Sequence, residues 1–337
     1  MESALTSREM TWPEAGSRVR IFALDGGGIK GVFTAGVLAE LERATGRRVA
    51  EHFDLITGTS TGGILAIGLG LGLSAEGLVD MYVANGGRIF GSGRLASVLA
   101  GKAARLFGPR HSPAGLRSVL SKALGNTRLG DSSQRLVIPT FDALKGHACT
   151  FKTAHHPRAI NEYQMSAVDV ALATSAAPSF FRAAVPLGRE GASYMDGGLW
   201  ANSPALVGIV EAVHFLGARL DDVHVLSIGT TEEYSSFMAQ RSAGLLRWSN
   251  RIVDAMMAAQ VSGSQAQAGL LIGDRLLRVN FQANRGEYVL DDARPDTIAR
   301  LAELGRSVAR AHDMCSAVEA AFLDGRPAAP FVPLRHP

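Results

Sequence analysis

The stretch FDLITGTSTGGILAIGLGLGL, Phe53 to Leu73, decides the fold. No charged residue falls between Asp54 and Glu76, and the run approaches the about 20 predominantly apolar residues that a membrane-spanning helix needs. Its interior is wrong for a span. Thr57, Thr59, Ser60 and Thr61 form a polar knot framed by Gly58, Gly62 and Gly63. The knot divides the run into a short apolar strand, Phe53 to Ile56, and a small-residue helix, Ile64 to Leu73. Buried strand, sharp turn and buried helix make the setting of a G-x-S-x-G nucleophile elbow, here Gly58 to Gly62 with Ser60 at the turn. Small flanking residues let the backbone bend tightly, and the following helix adds the positive end of its dipole. Taken alone, the same five residues also read as a helix-capping Ser/Thr turn.

Upstream, RVRIFALDGGGIKG is a β-rich run ending at Asp25, a glycine turn, and then a helix through Val32, Leu38 and Leu41. Gly26, Gly28 and Gly31 have the G-x-G-x-x-G spacing of a dinucleotide-binding turn, which also requires an acidic residue at the end of the next strand. That strand carries Asp54 near its beginning and ends in Thr57 and Gly58, so the requirement fails. A phosphate-binding P-loop fails as well, for want of G-K-[ST]. Gly26, Gly27 and Gly28 beside a helix start can instead offer backbone N–H groups to an oxyanion, which acyl transfer at Ser60 would need. Lys30 adds a positive charge close by. A plain tight turn fits these glycines nearly as well.

Downstream, MDGGLWANSP sets Asp196 at a strand end, with Gly197 and Gly198 leaving its carboxylate open to approach. A general base must reach its nucleophile by hydrogen bond, and Asp196 is the acid best placed by its local sequence. A Ser-His-Asp triad would call on His214 or His224. Both sit in apparent core elements with no glycine loop to expose them, which favours structural roles.

The 337 residues are 47% hydrophobic and 19% charged with 38 glycines, enough to bury a large sheet with many tight turns. The opening residues contain Glu2, Arg8 and Glu14 and no apolar core, so neither a signal peptide nor an anchor is expected and a cytoplasmic location is. The two cysteines, Cys149 and Cys315, suggest neither a disulfide framework nor a zinc site. The net charge of +3 is uneven: from Asp80 to Asp131 there is no intervening acid, while Arg88, Arg94, Lys102, Arg105, Arg110, Arg117, Lys122 and Arg128 all occur. Within GRLASVLAGKAARLFG, Leu95, Leu99 and Leu106 share one helical face, and Arg94, Lys102 and Arg105 cluster on another. An interfacial helix would arrange them so. The same cations suit the phosphates of a nucleotide activator, or form a solvated face.

Further along, QRLVIPTFDAL and HACTFKT read as paired strands, SAVDVALATSAAP as a helix halted by Pro178, DVHVLSIGT as a buried parallel strand and RLLRVNFQ as another. A long terminal helix follows from Arg294 to Leu323. Strands alternating with helices imply an α/β fold, a mainly parallel sheet covered on both faces. Residues 1–17 are expected to be a flexible start, 18–325 a single domain, and 326–337 a loose proline-rich tail.

DGGGIKG, GTSTG and DGG, in this order and on these elements, together with ATSAAPSFF (Ala173 to Phe181), resemble the patatin-like phospholipase family from about Arg20 to Thr230. The resemblance implies a three-layer patatin-like fold with Ser60 as nucleophile and Asp196 as its partner in a dyad without histidine. Gly26, Gly27 and Gly28 would line the oxyanion hole. Asp25, Lys30, Gly31, Gly58, Gly62, Gly197 and Gly198 would complete the motifs, with no metal or cofactor. The implied reaction is hydrolysis of fatty acyl esters of membrane phospholipids through an acyl-enzyme. The motifs also look like those of bacterial antiphage phospholipase effectors switched on by a cyclic oligonucleotide such as cyclic GMP-AMP. The part from about residue 231 would then be regulatory, action would fall on the inner membrane face, a homo-oligomer is conceivable and DNA is not expected as a partner. The competing readings are an unregulated esterase of soluble esters and a nucleotide-binding sensor in which Ser60 does no chemistry.

Overall fold

The structure is a computed structural model and describes residues 18–90, 109–159, 162–233, 252–329 and 331–334. Its centre is the strand β1 (Val19–Leu24), whose run VRIFAL is buried on both sides as expected of a strand inside a parallel sheet. β1 pairs in parallel with β2 (Leu55–Gly58) on one side and with β6 (Val223–Ile228) on the other. β3 (Leu136–Asp142) extends the sheet in parallel beyond β2, and β8 (Leu276–Val279) beyond β6. Two antiparallel strands, β4 (His147–Lys152) and β5 (Tyr194–Asp196), both pair with β3. The order is β4-β3-β2-β1-β6-β8, with β5 off this path. A small separate pair joins β7 (Glu232–Glu233) to β9 (Gln282–Ala283).

Alternation along β1 assigns the layers. Phe22 and Leu24 enter one core with α1 (Gly31–Thr45), α2 (Thr61–Gly70), α3 (Ala75–Ile89), α4 (Pro113–Leu124), α5 (Ala167–Thr174) and α8 (Pro295–Arg310). Ile21 and Ala23 enter the other, covered by α6 (Ala205–Val210) and α7 (Ile252–Ile272). These are the three layers that the resemblance implies. Burial of each full-sized aliphatic side chain in them contributes about 1.5–3 kcal/mol.

Helix boundaries follow local chemistry. Ser74 caps α3 by accepting the Gly77 N–H at 3.0 Å, and α1 stops at Gly46, which takes a left-handed φ of 65°. Pro113 opens α4 behind Ser112, whose side chain accepts from the Ala114 N–H. The long terminal helix is broken at Ala311 (φ −56°, ψ 118°), where α8 ends and α9 (His312–Val318) begins. A polar sequence such as ARAHDM continues a helical pattern without betraying that break. The strand before the elbow runs two residues later than the apolar pattern suggests, because the sheet hydrogen bonds carry it to Gly58. Among the described residues no helix is long and apolar enough to cross a membrane.

Candidate active site

Ser60 sits between the last residues of β2 and the first of α2, and its backbone is bent to φ 54°, ψ −121°. A non-glycine residue held there costs about 1–3 kcal/mol and persists only where its surroundings fix it. They do. The Ser60 N–H donates to Thr174 Oγ1 at 3.0 Å, and that hydroxyl donates to the Pro139 carbonyl at 2.7 Å. The Thr59 N–H donates to the Leu24 carbonyl at 3.1 Å, and the Thr59 hydroxyl to the Ala201 carbonyl at 2.6 Å. Glycine is compulsory on either side of the turn. A Cβ on Gly58 would lie 2.2 Å from the Gly62 carbonyl oxygen, and one on Gly62 would lie 2.2 Å from that of Leu24.

Asp196 ends β5, whose antiparallel pairing with β3 sets Asp196 opposite Thr140. The carboxylate is buried, accepts the Gly198 N–H at 2.7 Å and borders the same cavity as Ser60. Burial pushes its pKa up to about 6, against the downward pull of the Gly198 N–H and of the nearby Ser60 hydroxyl. Elbow and carboxylate, 136 positions apart in the chain by their numbers, thus meet.

The glycine turn closes the third side. Gly26 donates its N–H to the Asn202 carbonyl at 2.9 Å and accepts the Thr230 hydroxyl at 2.9 Å. Its N–H is therefore engaged within the protein, and the expectation that all three glycines offer free donors does not hold for Gly26. Gly27 and Gly28 border the cavity that also contains Ser60 and Asp196. Gly28 has φ 58°, and a Cβ there would lie 2.4 Å from the Leu290 carbonyl oxygen. Asp25 is buried behind the turn. Its Oδ2 receives a 2.7 Å bond from Arg278, and burial nevertheless raises its pKa. Lys30 Nζ reaches the Thr231 carbonyl at 3.1 Å, outside the residues that border the cavity. Gly31 opens α1 against Thr61, and Gly197 and Gly198 lead from Asp196 into the helical turn Gly198–Ala201.

The cavity measures about 100 Å³ and is walled by Ile64, Tyr82, Ile89, Phe90, Leu116, Phe180 and Phe181, a lining that accepts hydrocarbon. Met256 and Met257 of α7 and Leu290 complete it. No histidine borders it among the described residues. His224 lies at the opposite end of β6, paired with Arg20, and His214 is exposed on the turn after α6 instead of being in the core. Arg94, Lys102 and Arg105 fall outside the described residues. Reading the sequence missed Thr174, Asn202 and Thr230, which brace the elbow and the glycine turn, and the whole of α7. Threonines and asparagines carry no spacing signature, and α7 is apolar on no single stripe.

A serine on a strained elbow, sharing an apolar cavity with a buried carboxylate and a glycine turn, has the layout of a lipid ester hydrolase. The sequence matches the patatin-like phospholipase family over residues 22–209. The chain belongs to that family, and it is a hydrolase of lipid esters. It is 38% identical over 267 residues to the cGAMP-activated phospholipase of Pseudomonas aeruginosa (strain BWHPSA011 / Pa011), covering 78% of each chain. It is 34% identical over 323 residues to the cGAMP-activated phospholipase of Vibrio cholerae, covering 87% of this chain and 91% of that protein. Patatin-like protein 1 of Arabidopsis thaliana is 28% identical over 354 residues, covering 91% of this chain and 85% of the plant protein.

Proposed function

We propose that the protein is a phospholipase A-type enzyme working through a Ser60–Asp196 dyad, held inactive until a cyclic oligonucleotide of the cyclic GMP-AMP type binds. The observation that carries the chemistry is that Ser60 and the buried Asp196 carboxylate border one apolar cavity, with no histidine among the described residues that line it. Ser60 Oγ adds to the acyl carbonyl carbon as its proton passes to Asp196. Burial makes this carboxylate a stronger base than an exposed one. The N–H groups of Gly27 and Gly28 receive the oxyanion, and the N-terminus of α2 adds positive potential. Collapse breaks the ester bond, and the leaving alkoxide takes the proton from Asp196. Water, deprotonated by the same carboxylate, then attacks acyl-Ser60, releasing fatty acid and freeing Ser60.

Regulation is supported by the bacterial relatives at 34–38% identity, both called cGAMP-activated phospholipases. It also has a physical rationale, since an unrestrained lipase would attack the membrane of its own cell. On this reading the protein is an antiviral effector that degrades the inner face of the host membrane. Residues 18–325 act as one unit, with the part from about residue 231 transmitting the signal. Contacts from Thr230, Arg278 and Leu290 to the glycine turn support that assignment. Fatty acid release from phosphatidylglycerol vesicles, measured with and without cyclic GMP-AMP, tests both halves. Release should require the nucleotide and vanish in Ser60→Ala. Equal release without nucleotide would leave an unregulated esterase, and none under any condition would leave a binding module.

A further inference from the structure

Beside the Ser60 cavity lies a second one of about 270 Å³, and the two share Leu116, Ser175 and Phe181 as walls. We propose that this second cavity is the subsite for the phosphodiester of a glycerophospholipid whose acyl ester lies at Ser60, an inference that rests on the dyad reading above.

The polar side chains around it are Ser112, Arg117, Ser175 and Arg182, and among the described residues no carboxylate lines it. Arg117 is fixed by Asp169, whose carboxylate stands behind it at 2.8 Å. For Arg182 no carboxylate lies within ion-pair distance among the described residues. Arg117, Asp169 and Arg182 therefore leave one net positive charge, the complement of the single negative charge on a phosphodiester. Guanidinium is the group suited to such a partner, since its planar fork bonds two phosphate oxygens at once. The first residues of α4, Pro113 and Ala114, also border the cavity and add the positive end of a 12-residue helix.

Placement agrees with the chemistry. In a glycerophospholipid the scissile ester and the phosphate hang from one glycerol, so their sites must adjoin, while the acyl chain needs an apolar channel. The Ser60 cavity supplies the apolar walls and its neighbour the cations, with Ser175 and Phe181 between them. A neutral diacylglycerol would fill the first and leave the second to water. The subsite therefore discriminates charged from neutral lipid esters.

Two measurements decide it. With cyclic GMP-AMP present, kcat/KM is compared for phosphatidylglycerol and for diacylglycerol of the same acyl chains in neutral detergent micelles. Arg182→Ala should lower the phosphatidylglycerol-to-diacylglycerol ratio about tenfold, the weight of one charge-assisted hydrogen bond, with Arg182→Lys falling between. Arg182 is exposed, so loss of fold does not confuse the result. An unchanged ratio overturns the subsite. If the wild type cleaves neither lipid, the dyad reading fails and the subsite is judged by binding alone, read on Ser60→Ala with glycerophosphoglycerol and with inorganic phosphate as probes. Binding of the diester that Arg182→Glu abolishes supports a headgroup site. Phosphate binding as tightly as the diester, or no diester binding at all, rejects it.

Discussion

The elbow and the glycine turn face each other across the same cavity but are held in opposite ways. The bend of the elbow is largely self-made: Gly58 and Gly62 permit it and α2 continues from it, with distant support from Thr174 and the Ala201 carbonyl. The glycine turn has local support of its own, the Lys30 N–H bonding the Gly27 carbonyl at 3.1 Å, but most of its ties come from far along the chain. It is tied to Asn202, to Thr230 (204 positions further on), to Leu290 and, through Asp25, to Arg278 (253 positions further on). A local turn is set once its strand and helix form. A turn clamped from the far end of the chain can be tuned by whatever moves that end, which makes it the natural receiver of a regulatory signal.

Removing the reacting groups has the largest expected effect and concerns the elbow side alone. Ser60→Ala and Asp196→Ala should each reduce fatty acid release to background, a loss of at least about 10⁴-fold, and the double variant should be no worse, since the two act as one unit. Circular dichroism should show both variants folded. An active Asp196→Ala paired with an inactive, folded histidine variant would replace the dyad by a triad.

The glycine side gives a smaller, differently shaped loss. A Cβ at Gly27 would lie 2.1 Å from Thr230 Oγ1, so Gly27→Ala must displace either the turn or β6's exit. Turnover should fall about 10²–10³-fold with KM little changed, because an oxyanion donor matters chiefly in the transition state. Adding Thr230→Gly removes the obstacle and should recover part of kcat. Recovery would place the loss in the steric clash alone, whereas failure to recover would show that the Thr230 bond to the Gly26 carbonyl is itself needed to set the turn.

Much of this was legible in the sequence because much of it is local. Gly58 to Gly62 announces a sharp turn between apolar elements, and β1, β3, β6 and β8 are apolar runs. Asp196 could be singled out by the glycines that follow it. The clamps could not, since Thr230, Asn202 and Arg278 gain their roles only when β6 and β8 lie beside β1. The same holds for Gly26, which reads like its two neighbours until Asn202 takes its N–H. Phe180, Phe181 and Leu290 show as apolar residues, but that they converge with Met256 and Met257 on one cavity is a property of the packing.

Arg278 sharpens the contrast at about the tenfold level. It bonds Asp25 Oδ2 at 2.7 Å, Glu232 at 2.8 Å and the Ser227 hydroxyl at 2.8 Å, joining β8 and β7 to the start of the turn. Arg278→Met leaves the Asp25 charge buried without its partner, which typically costs about 3–5 kcal/mol. Chemical denaturation should register that loss, and kcat should fall about tenfold through the displaced turn. Asp25→Asn combined with Arg278→Met removes the stranded charge and should restore most of the stability. If kcat stays low while stability returns, the pair positions the turn; if both return together, it serves stability alone.

The smallest effect separates the two sides by pH. Asp196 must be ionised to accept the Ser60 proton, and with its pKa at about 6, kcat/KM should sit at half its plateau near pH 6 and drop about tenfold per unit below. The stability sign is the reverse of the usual carboxylate case. The folded chain holds this proton up to about pH 6 while the unfolded chain releases it near 3.8, so between those values the native state binds more protons and loses stability as pH rises. At neutral pH the whole difference has been incurred. Asp196→Asn, neutral and of the same shape, should therefore raise stability by about 3 kcal/mol at pH 7.5, less any hydrogen bond lost to Gly198, while abolishing turnover. At pH 4 the gain should vanish, because wild-type Asp196 is then protonated in the fold. A gain independent of pH would mean that packing, not the buried charge, limits the stability of the elbow side, and that the carboxylate is not the titrating base.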